Sequence, residues 1–128
     1  MNVRPATDPR QALPLLALAG PFDACGGSAT VAEMAGGQAV FEVLEGAELV
    51  GAFTLGVQDC ADGRLVRCGA AGALPGRRLL PVMAETAERE ARRVGAVAIV
   101  AETRRPGMVR QLERRGWRVA GFILRKDV

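Results

Sequence analysis

The chain has 128 residues, 49% of them apolar and 24% charged, which is the composition of one ordered domain with enough material for a core. It holds no His and no Tyr, so His-ligated metals, His-based triads and phenolic acids are excluded. Carboxylates, Cys and the single Lys126 remain for proton transfer. No apolar run reaches the roughly 20 residues of a membrane helix, and the first residues lack the apolar stretch of a secretory signal. The expectation is a soluble product that stays in the cytoplasm, or is built into a larger assembly.

The elements follow in chain order. Met1–Thr7 reads as a short strand. Asp8 is then placed to cap a helix that begins at Pro9 and runs through a Leu-rich stretch to Gly20-Pro21. Residues 20–37 are rich in Gly, Ala and Ser, with a helical patch near Thr30–Met34. Gln38–Glu45, a Gly46-Ala47 turn and Glu48–Val57 form a hairpin, in which Gly51 and Gly56 mark bulges or a bend. Its alternation is imperfect, as expected for a sheet covered on both faces. Asp59–Gly63 is a turn, and Arg64–Ala70 begins a fourth strand.

Leu80, Met83, Ala84, Ala87, Ala91 and Val94 repeat at three- and four-residue steps, the buried stripe of a helix over about 80–93. Glu85/Arg89 and Glu88/Arg92 are spaced to pair on its wet side, and Gly95 stops it. Ala96–Ala101 is continuously apolar and predicts a strand buried on both faces. A helix over Gly107–Arg115 and a last strand over Val119–Leu124 complete a β-α-β-β-β-α-β-α-β series. That order predicts an α/β fold with a mixed central sheet flanked by helices, in one domain spanning residues 1–128.

Cys25, Cys60 and Cys68 show neither a paired framework nor metal spacing, and are expected as reduced, mostly buried thiols. Charge is divided unevenly. Residues 1–60 carry two bases against seven acids, a net −5, and residues 61–128 carry fifteen bases against seven acids, a net +8. Sixteen of the bases are Arg, whose planar fork pairs with carboxylates and phosphates.

Residues 105–117, Arg-Pro-Gly-Met-Val-Arg-Gln-Leu-Glu-Arg-Arg-Gly-Trp, followed by Gly121-Phe122, resemble the closing helix and strand of the GCN5-related N-acetyltransferase (GNAT) family. The opening, strand then Arg4-Pro-Ala-Thr-Asp8 then a Leu-rich helix, is similar too, and the likeness covers about residues 1–125. It implies a GNAT-like fold and an acetyl-CoA site. The family's Tyr, which often protonates the departing thiolate, falls on Leu112, and its Asn falls on Arg105. The family's loop, Arg/Gln-x-x-Gly-x-Gly/Ala, holds the pyrophosphate on backbone amides at a helix N-terminus. Here it corresponds to Ala71-Gly72-Ala73-Leu74-Pro75-Gly76, which keeps only the final Gly and places Pro75 where an N–H is wanted. Pro81 predicts that the helix begins near Leu79 or Leu80.

The residues named for the cofactor are therefore Gly72, Gly76, Arg77 and Arg78, the two Arg as side-chain phosphate ligands. No catalytic residue is assigned. The fourth strand has no carboxylate, Glu102 is the nearest acid in topology, and Cys68 reads as a structural thiol. The leading expectation is a GNAT-like domain without catalysis and without a cofactor. It would serve as a binding or structural module for a protein partner or a larger assembly such as a virion, docked by an acidic surface on the Arg-rich C-terminal half. The alternative is an acetyl-CoA-dependent N-acetyltransferase acting on an amine. Nucleic-acid binding ranks third, because Trp117 and the four Phe are expected in the core and leave no stacking surface.

Overall fold

The computed structural model describes residues 1–18 and 30–128. Five strands lie side by side in chain order: β1 (Asn2–Pro5), β2 (Ala39–Glu45), β3 (Glu48–Cys60), β4 (Gly63–Ala73) and β5 (Ala98–Val100). The first four pair antiparallel through tight connections. β5 pairs parallel to β4, which requires a crossover, and α3 (Leu80–Val94) supplies it. This is the mixed sheet that the element order predicts. The remaining helices are α1 (Pro9–Leu16), α2 (Val31–Gly37) and α4 (Pro106–Arg114).

Alternation along the hairpin sorts its side chains onto two faces. Phe41, Val43, Phe53 and Leu55 pack with Leu79, Ala87 and Ala91 beneath α3. Val40, Ala52 and Ala70 pack with Ala12, Leu15 and Leu16 of α1 on the opposite face. Covering both faces explains why β2 and β3 are buried over consecutive positions. Phe41 and Phe53 stack with centroids 5.3 Å apart, adding an aromatic pair to the α3 side. Glu42 is buried on β2, where Arg4 Nε meets Oε2 at 2.9 Å, tying β1 to the sheet.

Local signals place the helices. Asp8 accepts a bond from Arg10 N before Pro9 starts α1, and Thr30 accepts from Glu33 N to cap α2. α3 starts at Leu80 with Pro81 in its first turn. It ends in a left-handed Gly95 (φ 70°) with Ala96 N bonded to Ala91 O. Pro14 sits inside α1 without ending it.

Several expectations are corrected. The strand expected at Val119–Leu124 is absent: the chain from Trp117 onward pairs with no strand, and from Arg118 onward it is exposed. β5 is three residues long, and its Ala98 is exposed, so it is not buried on both faces. Cys60 is exposed at the β3–β4 turn, and Phe122 is exposed rather than in the core. On α3 the ion pair that forms is Glu90–Arg93 at 2.7 Å, at the first turn from the C-terminal end, in place of the two pairs read from spacing. Cys25, Phe22 and the Gly/Ala-rich stretch at 20–29 lie outside the described residues.

Candidate functional site

The site is created by an irregularity in β4. Phe53 pairs with Ala71 and Leu55 with Cys68, so Gly69 and Ala70 together oppose Thr54 alone. A bulge of this kind bends the strand and raises its twist. Its unpaired amide is satisfied internally: Ala70 N donates to Thr54 Oγ1 at 3.0 Å, and Thr54 Oγ1 donates to Gln38 Oε1 at 2.7 Å. Position 69 must be Gly, because any side chain there would run into the Gln38 carbonyl oxygen and the Thr54 hydroxyl. A second bulge, at Val50 in β3, lies beside Gly51 as the sequence suggests, whereas Gly56 stays in regular register opposite Arg67.

The β4 bulge begins two residues beyond Arg67, where the pairing with β5 stops. Leu65, Val66 and Arg67 align with Ala98, Ile99 and Val100, after which the two parallel strands part. β4 continues to Ala73 under α1, while the chain after β5 turns away through Ala101–Arg105 into α4. Between them opens a cleft of about 590 Å³. Its floor is the β4 backbone from Arg67 to Ala73, and its far wall is Glu102, Thr103, Arg105, Met108 and Gln111. One end is closed by Leu74–Leu80 and the other by Val31 and Met34 of α2. The volume is that of a small-molecule site, typically about 300–1,000 Å³.

The four residues named from sequence are placed as follows. Gly72 lies on β4 with its hydrogen against the Leu15 carbonyl of α1, so its role is to let helix and strand approach. Gly76 adopts φ +80° in the turn closed by Arg77 N to Leu74 O at 3.2 Å, a conformation that favours glycine. Arg77 is drawn to the β2–β3 turn, with Nε 3.1 Å from Glu45 Oε2 and Nη2 3.8 Å from Glu48 Oε2. The Nε contact is an ion pair without hydrogen-bond alignment. Arg78 is exposed at the cleft and forms no ion pair among the described residues. Beside it, no side chain caps α3: the N-cap position is Leu79, whose side chain has no group that can accept a hydrogen bond. Both arginines line the cleft, but Arg77 is also engaged by the acids of the β2–β3 turn.

At the vertex, where β4 and β5 part, Arg67 Nη1 meets Glu102 Oε1 at 3.2 Å, and Arg67 Nε donates to Gln58 Oε1 at 3.2 Å. Both partners of the ion pair are part-buried and both line the cleft. The sequence ranks Glu102 only as the nearest acid; the fold carries it into the site. Arg67 and the Gln38–Thr54 pair were missed, since nothing in their local sequence announces a bulge. Cys68 also lines the cleft, and burial pushes its thiol pKa up to about 11. Leu112 does not face the cleft. It is buried against a separate apolar cavity of about 20 Å³ with Cys68, Leu80, Met83, Met108 and Trp117. Among the described residues no group of three or more His, Cys, Asp or Glu could hold a metal.

No family model and no curated protein sequence matches the chain. Solved structures do. An acetyltransferase from Trypanosoma brucei superposes with a TM-score of 0.70 at 16% identity, over 99% of both chains. Glucosamine-6-phosphate N-acetyltransferase from Arabidopsis thaliana gives 0.70 at 11%, over 98% of this chain and 97% of its own. A transcriptional regulator from Bacillus halodurans gives 0.68 at 19%, over 99% of both. The chain has the GNAT fold.

Within the GNAT fold, the cleft coincides with the segment that the sequence resemblance assigns to coenzyme A, Ala71–Gly76 and the start of α3. The helix begins at Leu80, as Pro81 predicts, so the amides of its first turn stand further along the chain than the family loop would put them. Leu112, which the sequence resemblance aligns with the family's Tyr, lies with Leu80 and Met83 of α3 around the small apolar cavity.

Proposed function

We propose that this GNAT-fold domain binds an acyl-coenzyme A in the cleft between β4 and β5 and passes the acyl group directly to an amine. The observation that carries this reading is the parting of two parallel strands at a built-in bulge, which opens about 590 Å³ beside an unpaired strand edge. Among the described residues, the edge of β4 from Cys68 to Ala73 that faces away from β3 has no strand partner, so outward-facing backbone groups there, Ala70 N excepted, are open to an extended ligand rich in amides. The pantetheine arm is such a ligand. The phosphate-bearing end fits Arg78 and the uncapped start of α3, where backbone amides and the helix dipole favour negative charge.

The thioester supplies an activated acyl group; the chain's own residues supply position and proton transfer. Glu102 stands at the vertex as the base that takes the proton from the attacking amine, and Arg67 fixes the orientation of its carboxylate. The Cys68 thiol, with its pKa raised, is a poor proton donor to a leaving thiolate, so solvent entering the open cleft returns that proton. Holding amine and thioester together in a fixed geometry is the main source of rate in such a scheme.

A second reading, a non-catalytic binding module, is favoured by Leu112 being buried beside a small apolar cavity and by Arg77 being engaged with Glu45 and Glu48. Calorimetric titration with acetyl-CoA, followed by thiol-release assays over a panel of polyamines, amino sugars and peptides, separates the two. Binding in the micromolar range is expected, weakened about tenfold by Arg78→Glu. With an accepted amine, Glu102→Gln should lower kcat about 10²-fold or more while leaving acetyl-CoA affinity unchanged. Binding without turnover would leave the module reading. The absence of binding at millimolar acetyl-CoA would sink both the cleft assignment and the enzyme.

A further inference from the structure

Gln38 joins α2 to β2, and its side-chain amide lies in a seat made by three residues of the neighbouring strands. Its backbone N bonds to Met34 O at 2.9 Å, which closes α2 and fixes where the side chain sets out. From there it crosses β3 to reach β4. A side chain on Gly56 of β3 would place its Cβ 2.8 Å from Gln38 Nε2, and one on Gly69 of β4 would run into Oε1. Thr54 supplies the third contact, and that contact fixes the orientation of the amide. Its Oγ1 accepts from Ala70 N at 3.0 Å, so the hydroxyl's own proton is directed at Gln38, 2.7 Å away, and the atom receiving it is the carbonyl oxygen. Nε2 keeps two N–H donors, and among the described residues nothing accepts from them. Gln38 lines the cleft. A donor held at its other end and left unpaired in a cleft wall is arranged to meet a ligand oxygen.

The face of the sheet on which the amide lies identifies that ligand. Ala52 packs against α1, and Thr54 and Gly56 follow it at steps of two, on the same face. Gly56 pairs with Arg67, so the Arg67 side chain rises on this face as well, and Arg67 holds Glu102. The unpaired donor and the carboxylate that receives the amine proton therefore stand on one side of the sheet, and both address the incoming amine.

We infer that Gln38 Nε2 donates a hydrogen bond to an oxygen of the acceptor, so that the amine taken by this cleft carries a carbonyl or hydroxyl oxygen beside its nitrogen. The inference rests on the acyl-transfer reading above. In that step the amine nitrogen bonds to the acyl carbon, the C–S bond breaks, the amine proton goes to Glu102 and the thiolate takes one from solvent. Glu102 at the nitrogen and Gln38 at the neighbouring oxygen are two points that fix the direction of the attacking lone pair. A plain alkylamine would displace water from the Nε2 donors and offer them nothing, and it is disfavoured for that reason. The accepted class is thus amino amides or amino alcohols, and not alkylamines or polyamines.

Thiol release from acetyl-CoA with glycinamide, glucosamine, propylamine and spermidine tests it, in the wild-type protein and in Gln38→Met and Gln38→Glu. The first variant keeps the length of the side chain without donors. The second keeps the oxygen that Thr54 meets and loses the N–H groups. Each variant is compared with wild type on the same amine, which cancels the different basicities of the amines. For glycinamide or glucosamine kcat/KM should fall about tenfold or more in both variants, while acetyl-CoA affinity by calorimetry is unchanged. Propylamine should stay within about twofold in Gln38→Met, or be refused by the wild type altogether. Which of glycinamide and glucosamine is taken tells carbonyl from hydroxyl. An equal loss on all four amines overturns the inference, by assigning the donor to the thioester or to the floor of the site. Undiminished rates with glycinamide and glucosamine overturn it too, as does a wild type that binds acetyl-CoA and accepts neither; the coenzyme site survives these results. A wild type that binds no acetyl-CoA removes that site and this inference together.

Discussion

The two walls of the cleft are built to different standards. The β4 wall is fixed several times over: it pairs with β3 along its length, its bulge amide is held by Thr54, and Gly72 seats it against α1. The opposite wall consists of the irregular turn that follows the three-residue β5 and a short helix, α4. The better-held side of the cleft is therefore β4, while Glu102 and the Arg-rich α4 lie on the side held by fewer contacts. Leu112, which the sequence resemblance aligns with a Tyr, also lies on that second side.

The comparison breaks most completely at Gly72. Its missing side chain lets the Leu15 carbonyl of α1 approach the strand, and any Cβ would overlap that backbone oxygen. Backbone cannot step aside as a flexible side chain can. Gly72→Val is therefore expected to cost about 3 kcal/mol or more, read as a lower midpoint in urea unfolding. A change of equal type on the opposite wall, Gly107→Val, meets only the end of the Arg110 side chain and should cost far less. Comparable losses at both sites would mean that the walls are equally packed.

A smaller effect is expected at Thr54. Its hydroxyl is buried between Ala70 N and Gln38 Oε1, so Thr54→Val keeps the shape and leaves the bulge amide without an acceptor. The expected cost is about 1–3 kcal/mol in chemical unfolding, the range for one buried donor left unpaired. Hydrogen exchange should accelerate at Ala70 in particular. An unchanged midpoint would show that the bulge does not depend on this hydroxyl.

The same division explains what was legible in the sequence. The hairpin, the stripe of α3 and the caps at Asp8 and Gly95 are local signals, and each appears where the residues put it. The delayed start of α3 was legible because Pro81 limits where a helix can begin. The cleft's inner face was not, because a bulge at Gly69–Ala70 is decided by Thr54 and Gln38, fifteen and thirty-odd positions away. Adjacency did not reveal that Arg77, though it lines the cleft beside Arg78, is engaged by Glu45 and Glu48 of the β2–β3 turn. The strand expected over 119–124 does not form: composition alone does not make a strand, which also needs an edge to pair with, and no periodicity states where that edge will be.

The finest test lies at the junction of the walls, where Cys68 ends the paired part of β4. Burial raises its pKa to about 11 from the ordinary 9.0, while Cys60 sits exposed at the hairpin tip. Only the thiolate alkylates, so at about pH 8 iodoacetamide should modify Cys60 well over tenfold faster than Cys68, as peptide mapping would read. The sign of the linked stability follows from the same shift. The folded state holds the Cys68 proton more tightly than the unfolded state, so that contribution is whole below about pH 9 and is lost as pH rises towards 11. With no Tyr and one Lys, few other groups titrate in that window, and Cys68→Ala should flatten the decline. Equal labelling of the two thiols would mean that burial does not hold Cys68 in its protonated, unreactive form.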